Sequence, residues 1–195
     1  MIRAALALFF LCLPVSAFAH IGVGDASGLA NGFSHPLSGL DHVLAMVAVG
    51  LFAARLGGSA LWLVPAAFIS MMALAAVAAM AGIGLPIAEI GIALSVVVLG
   101  LAIAFEFNPP LLAAMALVGM FAIFHGHSHG TEMPETVSGL TYGAGFLVAT
   151  GALHVLGIAL GLTISRTGAI LSRYIVQAGG GAMALAGVGI LAGLM

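Results

Sequence analysis

Of 195 residues, 63% are apolar and only 5% are charged, and the mean hydropathy is +1.30. An ordinary soluble domain is about 25% charged, so these side chains cannot clothe a water-soluble globule, and the chain reads as an all-α integral membrane protein. Net charge is −2 and Lys is absent, which excludes the clustered cations of a nucleic-acid binder, the lysine of a Walker-type nucleotide site and a lysine Schiff base.

In chain order, Arg3, an apolar run over 4–15 and the small-x-small triplet Ala17-Phe18-Ala19 predict a signal peptide over 1–19, cleaved before His20. An uncleaved first helix is the alternative. The one cysteine, Cys12, lies in this segment, so the mature chain would hold no disulfide and no thiolate metal site. Six apolar stretches follow, over 34–54, 60–82, 86–105, 111–130, 138–164 and 171–194, each near the ~20 residues needed to cross a bilayer core. Their connections are short, as between antiparallel neighbours. Residues 20–195 therefore form a single domain, a compact bundle of about six transmembrane helices, within which an inverted repeat of helices 1–3 and 4–6 is compatible but weakly marked. Arg55, Arg166 and Arg173 all fall at one end, which the positive-inside rule makes cytoplasmic. Both mature termini are then periplasmic.

Hydrophobicity does not explain the polar residues, and ionisable groups at membrane depth are functional candidates by default. Six of the seven histidines gather in the outer half: His20, His35, His42, His125, His127 and His129, accompanied by Asp41, Glu89 and Glu132. His154 lies deeper. In the run from His35 to His42, Pro36 suits the first helical position, which makes His35 an outside cap and places Asp41 and His42 about two turns in. His35 and His42 share a helix face but are separated by a rise of roughly 10 Å, so they read as two stations rather than one chelate. Met46, one turn beyond His42, lines the same face as a soft ligand or as core packing. In the run from His125 to Glu135, a persisting helix sets His125 and His129 on one face, with Glu132 a turn on and His127 nearly opposite. Fraying at Gly126, Gly130 and Pro134 would instead let all three imidazoles converge. Nitrogen and carboxylate donors without sulfur suit Ni²⁺, Co²⁺, Zn²⁺ or Cu²⁺, and a pH-responsive histidine loop is the alternative. A mature N-terminal His20 would add an amino group and an imidazole as a chelating pair.

The segments His35-Pro36-Leu37-Ser38-Gly39-Leu40-Asp41-His42 and Phe124-His125-Gly126-His127-Ser128-His129-Gly130-Thr131-Glu132-Met133-Pro134 resemble the HupE/UreJ family of bacterial nickel and cobalt permeases. The resemblance covers essentially the whole mature chain, and the family signature HPxxGxDH matches at His35, Pro36, Gly39, Asp41 and His42. It implies uptake of Ni²⁺ or Co²⁺ across the inner membrane, with handover to hydrogenase or urease maturation proteins. It assigns metal binding to His35, Asp41 and His42 in the first motif and to His125, His129 and Glu132 in the second.

Read from the residues alone, a hydrated divalent cation is captured by outer imidazoles and carboxylates, exchanges water for ligands and passes inward. No cofactor is permanently bound, and no ATP drives the step. Glu89 can balance the ion's charge. His154 is either a deeper station or a helix–helix hydrogen bond. Imidazole ligates only when neutral, so uptake should fall as pH drops through roughly 6.5. The competing readings are a membrane metal-binding accessory protein that does not transport, and a membrane enzyme. A metallohydrolase could use His125, His129 and Glu132 but lacks His-Glu-x-x-His. A Ser-His hydrolase using Ser38 or Ser95 with His154 lacks the Gly-x-Ser-x-Gly elbow, and a bis-histidine haem site would leave His154 without a partner.

Overall fold

The computed structural model describes residues 25–133 and 138–194; the expected leader and His20 lie outside them. Seven helices occupy almost all of the described chain: α1 (Asp25–Ser38), α2 (Leu40–Leu56), α3 (Ala60–Met80), α4 (Ala88–Ala104), α5 (Leu111–Thr131), α6 (Gly139–Ser165) and α7 (Ala169–Leu191). In hydrocarbon a backbone polar group has no water to turn to, so the helix, which pairs its own N–H and C=O groups, is the form these apolar sequences take. Of the seven, α3, α5, α6 and α7 are long and apolar enough to cross a membrane, and the bent pair α1–α2 counts as a fifth span. The apolar α4, at 17 residues, falls just short of that length. The chain is thus an all-helical, multi-pass membrane protein.

The first span differs from the sequence expectation. Helix does not begin at Pro36: α1 runs back to Asp25 and carries Pro36 in its last turn, so His35 is a helical residue, not a cap. The break falls at Gly39, where the axis turns by 85°. Pro36 has no N–H to give to the preceding turn, and Ser38 Oγ donates to the His35 carbonyl oxygen at 2.6 Å, so the chain leaves the helix just beyond. Gly39 is extended (φ −99°, ψ 123°), and α2 starts immediately after it. Its first turn is closed by Val43 N–H on the Gly39 carbonyl at 3.1 Å and by His42 N–H on Asp41 Oδ1 at 2.8 Å.

α2 is the hub and touches every other helix. Its residues Met46, Val49 and Phe52 are fully buried with Val64, Phe68, Met72, Leu99 and Val118 from α3, α4 and α5. Glycines let backbones meet where the bundle is tightest. A Cβ on Gly50 would collide with the His154 carbonyl oxygen, and one on Gly157 with that of Val47, so α2 and α6 lie in direct backbone contact. Gly126 presses α5 onto Met72 of α3 in the same way. Large apolar side chains such as Trp62, Leu112, Leu140 and Leu185 face outward, as a lipid-facing surface requires.

Three helices end in the same six-to-one hydrogen-bonded turn: Ile83 N–H to Ala78 O after α3, Phe107 N–H to Ala102 O after α4, and Leu194 N–H to Gly189 O after α7. Such a turn needs a left-handed residue, usually Gly. Gly82 and Gly193 supply it, but after α4 the position is Glu106, at φ 55°. The strain is offset by Arg55, which donates to the Glu106 carbonyl oxygen and sits beside its carboxylate. Glu106→Ala should therefore unfold at a lower temperature in detergent than Glu106→Gly. Both variants lose the ion pairs, but only glycine relieves a backbone cost of about 1 kcal/mol; equal melting points would show that the strain is not there.

Candidate metal centre

The 85° turn at Gly39 folds the two ends of the first motif around one side chain of the second. From α1, the His35 ring stands 4.8 Å from that of His129; from α2, the His42 ring stands 4.5 Å from the same imidazole, and 5.0 Å from that of His125. α5 stays helical to Thr131, which keeps His125 and His129 on one face and carries His127 to the other. Two groups of donors result: His42, His125 and His129, all buried, and His35, His129 and Glu132, nearer the surface. Each offers three ligand atoms within 4.8 Å of one another. His129 belongs to both.

The hydrogen bonds select which nitrogen each ring presents. His42 Nδ1 lies 2.8 Å from Asp41 Oδ1. The carboxylate accepts, so Nδ1 carries the proton and the buried, unpartnered Nε2 keeps its lone pair. On α4, Ser95 Oγ donates to the Ile92 carbonyl oxygen at 2.6 Å and must therefore accept from His125 Nε2 at 3.0 Å. That leaves His125 Nδ1 as the free lone pair, and it is buried and unpartnered too. Neither nitrogen of His129 has a partner; its ring is held by Phe146 at 4.0 Å. An unmade hydrogen bond on a buried polar atom costs about 1–3 kcal/mol, so several lone pairs aimed at one volume are expensive unless something fills it. A divalent ion is suited to that place: metal–nitrogen bonds of about 2.1 Å at tetrahedral angles set donors about 3.4 Å apart, inside the 4.8 Å over which these donors are spread.

At the mouth, His35 Nε2 meets Glu132 Oε2 at 2.9 Å. Ser128 Oγ lies 2.8 Å from Glu132 Oε1 and 3.1 Å from Glu89 Oε1. One hydroxyl proton thus serves two carboxylates, which brings Glu89 from α4 to the rim. Tyr142 closes the other side, its ring 5.9 Å from His35.

Other expected residues are placed differently. Asp41 enters neither group of donors; it orients His42 from behind, the arrangement by which carboxylates commonly tune a metal-binding imidazole. His127 does not converge with its neighbours, because no fraying occurs before Thr131, and its Nε2 donates to the Ile83 carbonyl oxygen at 2.9 Å. Met46 is packed in the apolar core. His154 is buried with both nitrogens unpartnered, and the Phe68 ring packs against both it and His125, at 5.2 and 5.4 Å. Neither proposed serine partner reaches it among the described residues, since Ser38 bonds within α1 and Ser95 bonds His125. Ser95, Ser128, Phe68 and Phe146 gain their places only by packing between helices. An intramembrane serine was the one available signal, and it pointed to the wrong histidine.

An all-helical, multi-pass membrane protein with clustered imidazole and carboxylate donors that can hold a metal ion is the class defined by this fold and site. Within it, the HupE / UreJ protein family model matches residues 8–190, and the chain is 50% identical over 184 residues, 94% of each sequence, to Protein HupE of Rhizobium leguminosarum bv. viciae. The chain belongs to the HupE/UreJ family. No solved structure matches it.

If Ser95 sets the His125 tautomer, Ser95→Ala should weaken divalent-metal binding about tenfold, the low end for losing a partner behind a ligand, at unchanged expression. Titration calorimetry of the purified protein with Ni²⁺ measures this, and unaltered affinity would mean that His125 is not held through Ser95.

Proposed function

We propose that the chain is a secondary permease that carries a divalent transition-metal ion, Ni²⁺ foremost and Co²⁺ next, from periplasm to cytoplasm. The observation that supports it is the sharing of His129 between a mixed carboxylate–imidazole group at the mouth and an all-imidazole group in the bundle. A binding protein needs one good site; two sites with a ligand in common describe a step. The hydrated ion loses its first waters to Glu132, His35 and His129, with Glu89 balancing charge. It then exchanges the oxygen ligand for His42 and His125 while His129 stays attached, so that it is never bare. Oxygen-preferring Mg²⁺ and Ca²⁺ find no oxygen donor in the inner group, whereas nickel, cobalt, zinc and copper accept imidazole. The family's association with hydrogenase and urease favours nickel among these, and delivery to maturation proteins on the inner side follows from it.

In this reading the 17-residue α2 and α4, at the short end for a span, join α3, α5, α6 and α7 to make six crossings of the inner membrane, the arginine end is cytoplasmic and the histidine end faces the periplasm. His154, below Phe68, is the next station, and an expected His20 at the mature N-terminus would add a donor at the entrance. In the same reading the chain carries its ion without chemistry; Ser95, the one serine bonded to a clustered histidine among the described residues, is fully buried with its proton on a backbone carbonyl, which disfavours a serine nucleophile there.

Radioactive nickel accumulation in cells expressing the chain tests the proposal. Saturable uptake, competed by Co²⁺ but not by Mg²⁺ and abolished by His42→Ala at normal membrane levels, is expected. Accumulation no greater than in empty cells, with nickel still bound by the purified protein, would replace the permease by an accessory metal-binding protein.

The two groups should also separate kinetically. His35→Ala should raise the half-saturating nickel concentration about tenfold or more, the range for losing one ligand-shell partner, with maximal rate largely kept. His125→Ala should lower the maximal rate, and His129→Ala both. Identical effects of His35→Ala and His125→Ala on the saturation curve would argue for one site instead of two.

A further inference from the structure

The end of the bundle away from the histidines holds a feature that metal uptake does not use. α7 packs on α4 and barely meets α2 and α6, which leaves a cavity of ≈ 490 Å³ between them. Leu51, Ile103, Ile164, Val176 and Met183 line its walls, and Arg55, Arg173 and Glu106 its polar end. Glu106 is the one carboxylate at this end among the described residues, since Asp25 opens α1 and Asp41, Glu89 and Glu132 are all at the histidine end. It is divided between two guanidiniums, with Arg173 Nε at 3.2 Å from Oε1 and an Arg55 terminal nitrogen at 3.8 Å from Oε2. Gln177 adds a bond to the same Oε1 at 3.3 Å.

Positive charge and N–H donors are in surplus here. A guanidinium carries five N–H groups. Arg55 commits its terminal nitrogens to the Glu106 carbonyl and carboxylate, and its buried Nε has no partner. Arg173 is engaged through Nε, and its side chain is 67% exposed. Such a site takes an anion of forked geometry, for which phosphate is the best match. The walls narrow the choice further: apolar side chains between helices favour hydrocarbon over water, and a free anion would leave them bare. A second copy of the chain in the same orientation would bring to this depth, among the described residues, only its own Glu106, already held by its own two arginines. We infer that the cavity is a site for an anionic phospholipid, its phosphate on Arg55 and Arg173 and one acyl chain between α2, α6 and α7, as basic pockets between spans on the cytoplasmic side are suited to hold.

Native mass spectrometry of the full-length protein in neutral detergent tests this with phosphatidylglycerol, phosphatidylcholine and inorganic phosphate as probes. With two arginines against the one Glu106 carboxylate, one positive charge is in surplus, and at ~1 kcal/mol phosphatidylglycerol should bind about fivefold more tightly than phosphatidylcholine. Arg173→Gln, which leaves no surplus, should abolish that preference. Glu106→Gln, which frees both guanidiniums, should increase it, and Val176→Trp, which obstructs the apolar wall of the cavity, should weaken lipid retention. Equal retention of the two lipids, or a preference unchanged by both Arg173→Gln and Glu106→Gln, overturns the proposal. Phosphate bound as well as phosphatidylglycerol overturns it in favour of a free-anion site, and dimers that exclude lipid overturn it in favour of a second copy. Nickel bound by the same samples is read separately, so failure here leaves the permease proposal untouched.

Discussion

The structure turns on lone pairs of buried imidazoles that no protein group satisfies. In an apolar bundle each helix completes its own backbone hydrogen bonds, so an unpartnered polar atom stands out. His42 Nε2, His125 Nδ1 and the nitrogens of His129 are such atoms, and each of the three rings brings one nitrogen within 4.8 Å of the others. Sustaining them without a ligand costs free energy, and everything around them serves to keep them in place. The break at Gly39 brings α1 and α2 to α5 from two directions; Asp41 and Ser95 each take up the other nitrogen of a ring; Phe68 and Phe146 wall the volume. A Cβ on Gly39 would lie 2.7 Å from Asp41 Oδ1 and 2.9 Å from His42 Nδ1, so the residue that makes the turn also makes room for the pair that orients His42.

Charge is graded along this axis. Glu132 and Glu89 lie at the mouth, where water can still solvate them, and are joined through Ser128. Further in, the donors are neutral nitrogens, with the Asp41 carboxylate one bond removed. A cation entering from water thus meets full negative charge first and imidazole afterwards. Below the cluster, Phe68, His154 and the backbone contact of Gly50 with Gly157 close the bundle. The arginine end has the opposite character: Arg55 and Arg173 leave one positive charge in excess of the Glu106 carboxylate. Glu106 accepts left-handed strain there to hold these two arginines together.

An enzyme and a permease ask different things of such a cluster. Catalysis by a metal-held water wants a base beside the water and room for a substrate. Here the inner donors are walled by aromatic rings and the carboxylates stand at the rim, so the arrangement suits an ion in passage better than a reacting molecule. Family membership points the same way.

Composition and segment pattern were enough to determine an all-helical membrane protein, because 5% charged residues leave no soluble alternative and ~20-residue apolar runs have one stable form in lipid. The two motifs and the pairing of His125 with His129 were legible for a like reason: they depend on short spacings along one helix. The path of the first span was not. Pro36 marks either a start or a late turn of helix by its local chemistry, and only packing of α1 on α6 decided for the latter, moving the break to Gly39 and setting His35 and His42 on either side of His129. Fraying at Gly126 and Gly130 was a fair local expectation, yet close contact with α3 holds α5 helical and turns His127 away. Asp41 as orienter, Ser95 as partner of His125 and Glu106 as holder of two arginines join residues 1, 30 and 51 or more positions apart. Spacing on one helix is written into a sequence; which lone pair a ring presents depends on the neighbour that takes the other, and that neighbour is chosen by the fold.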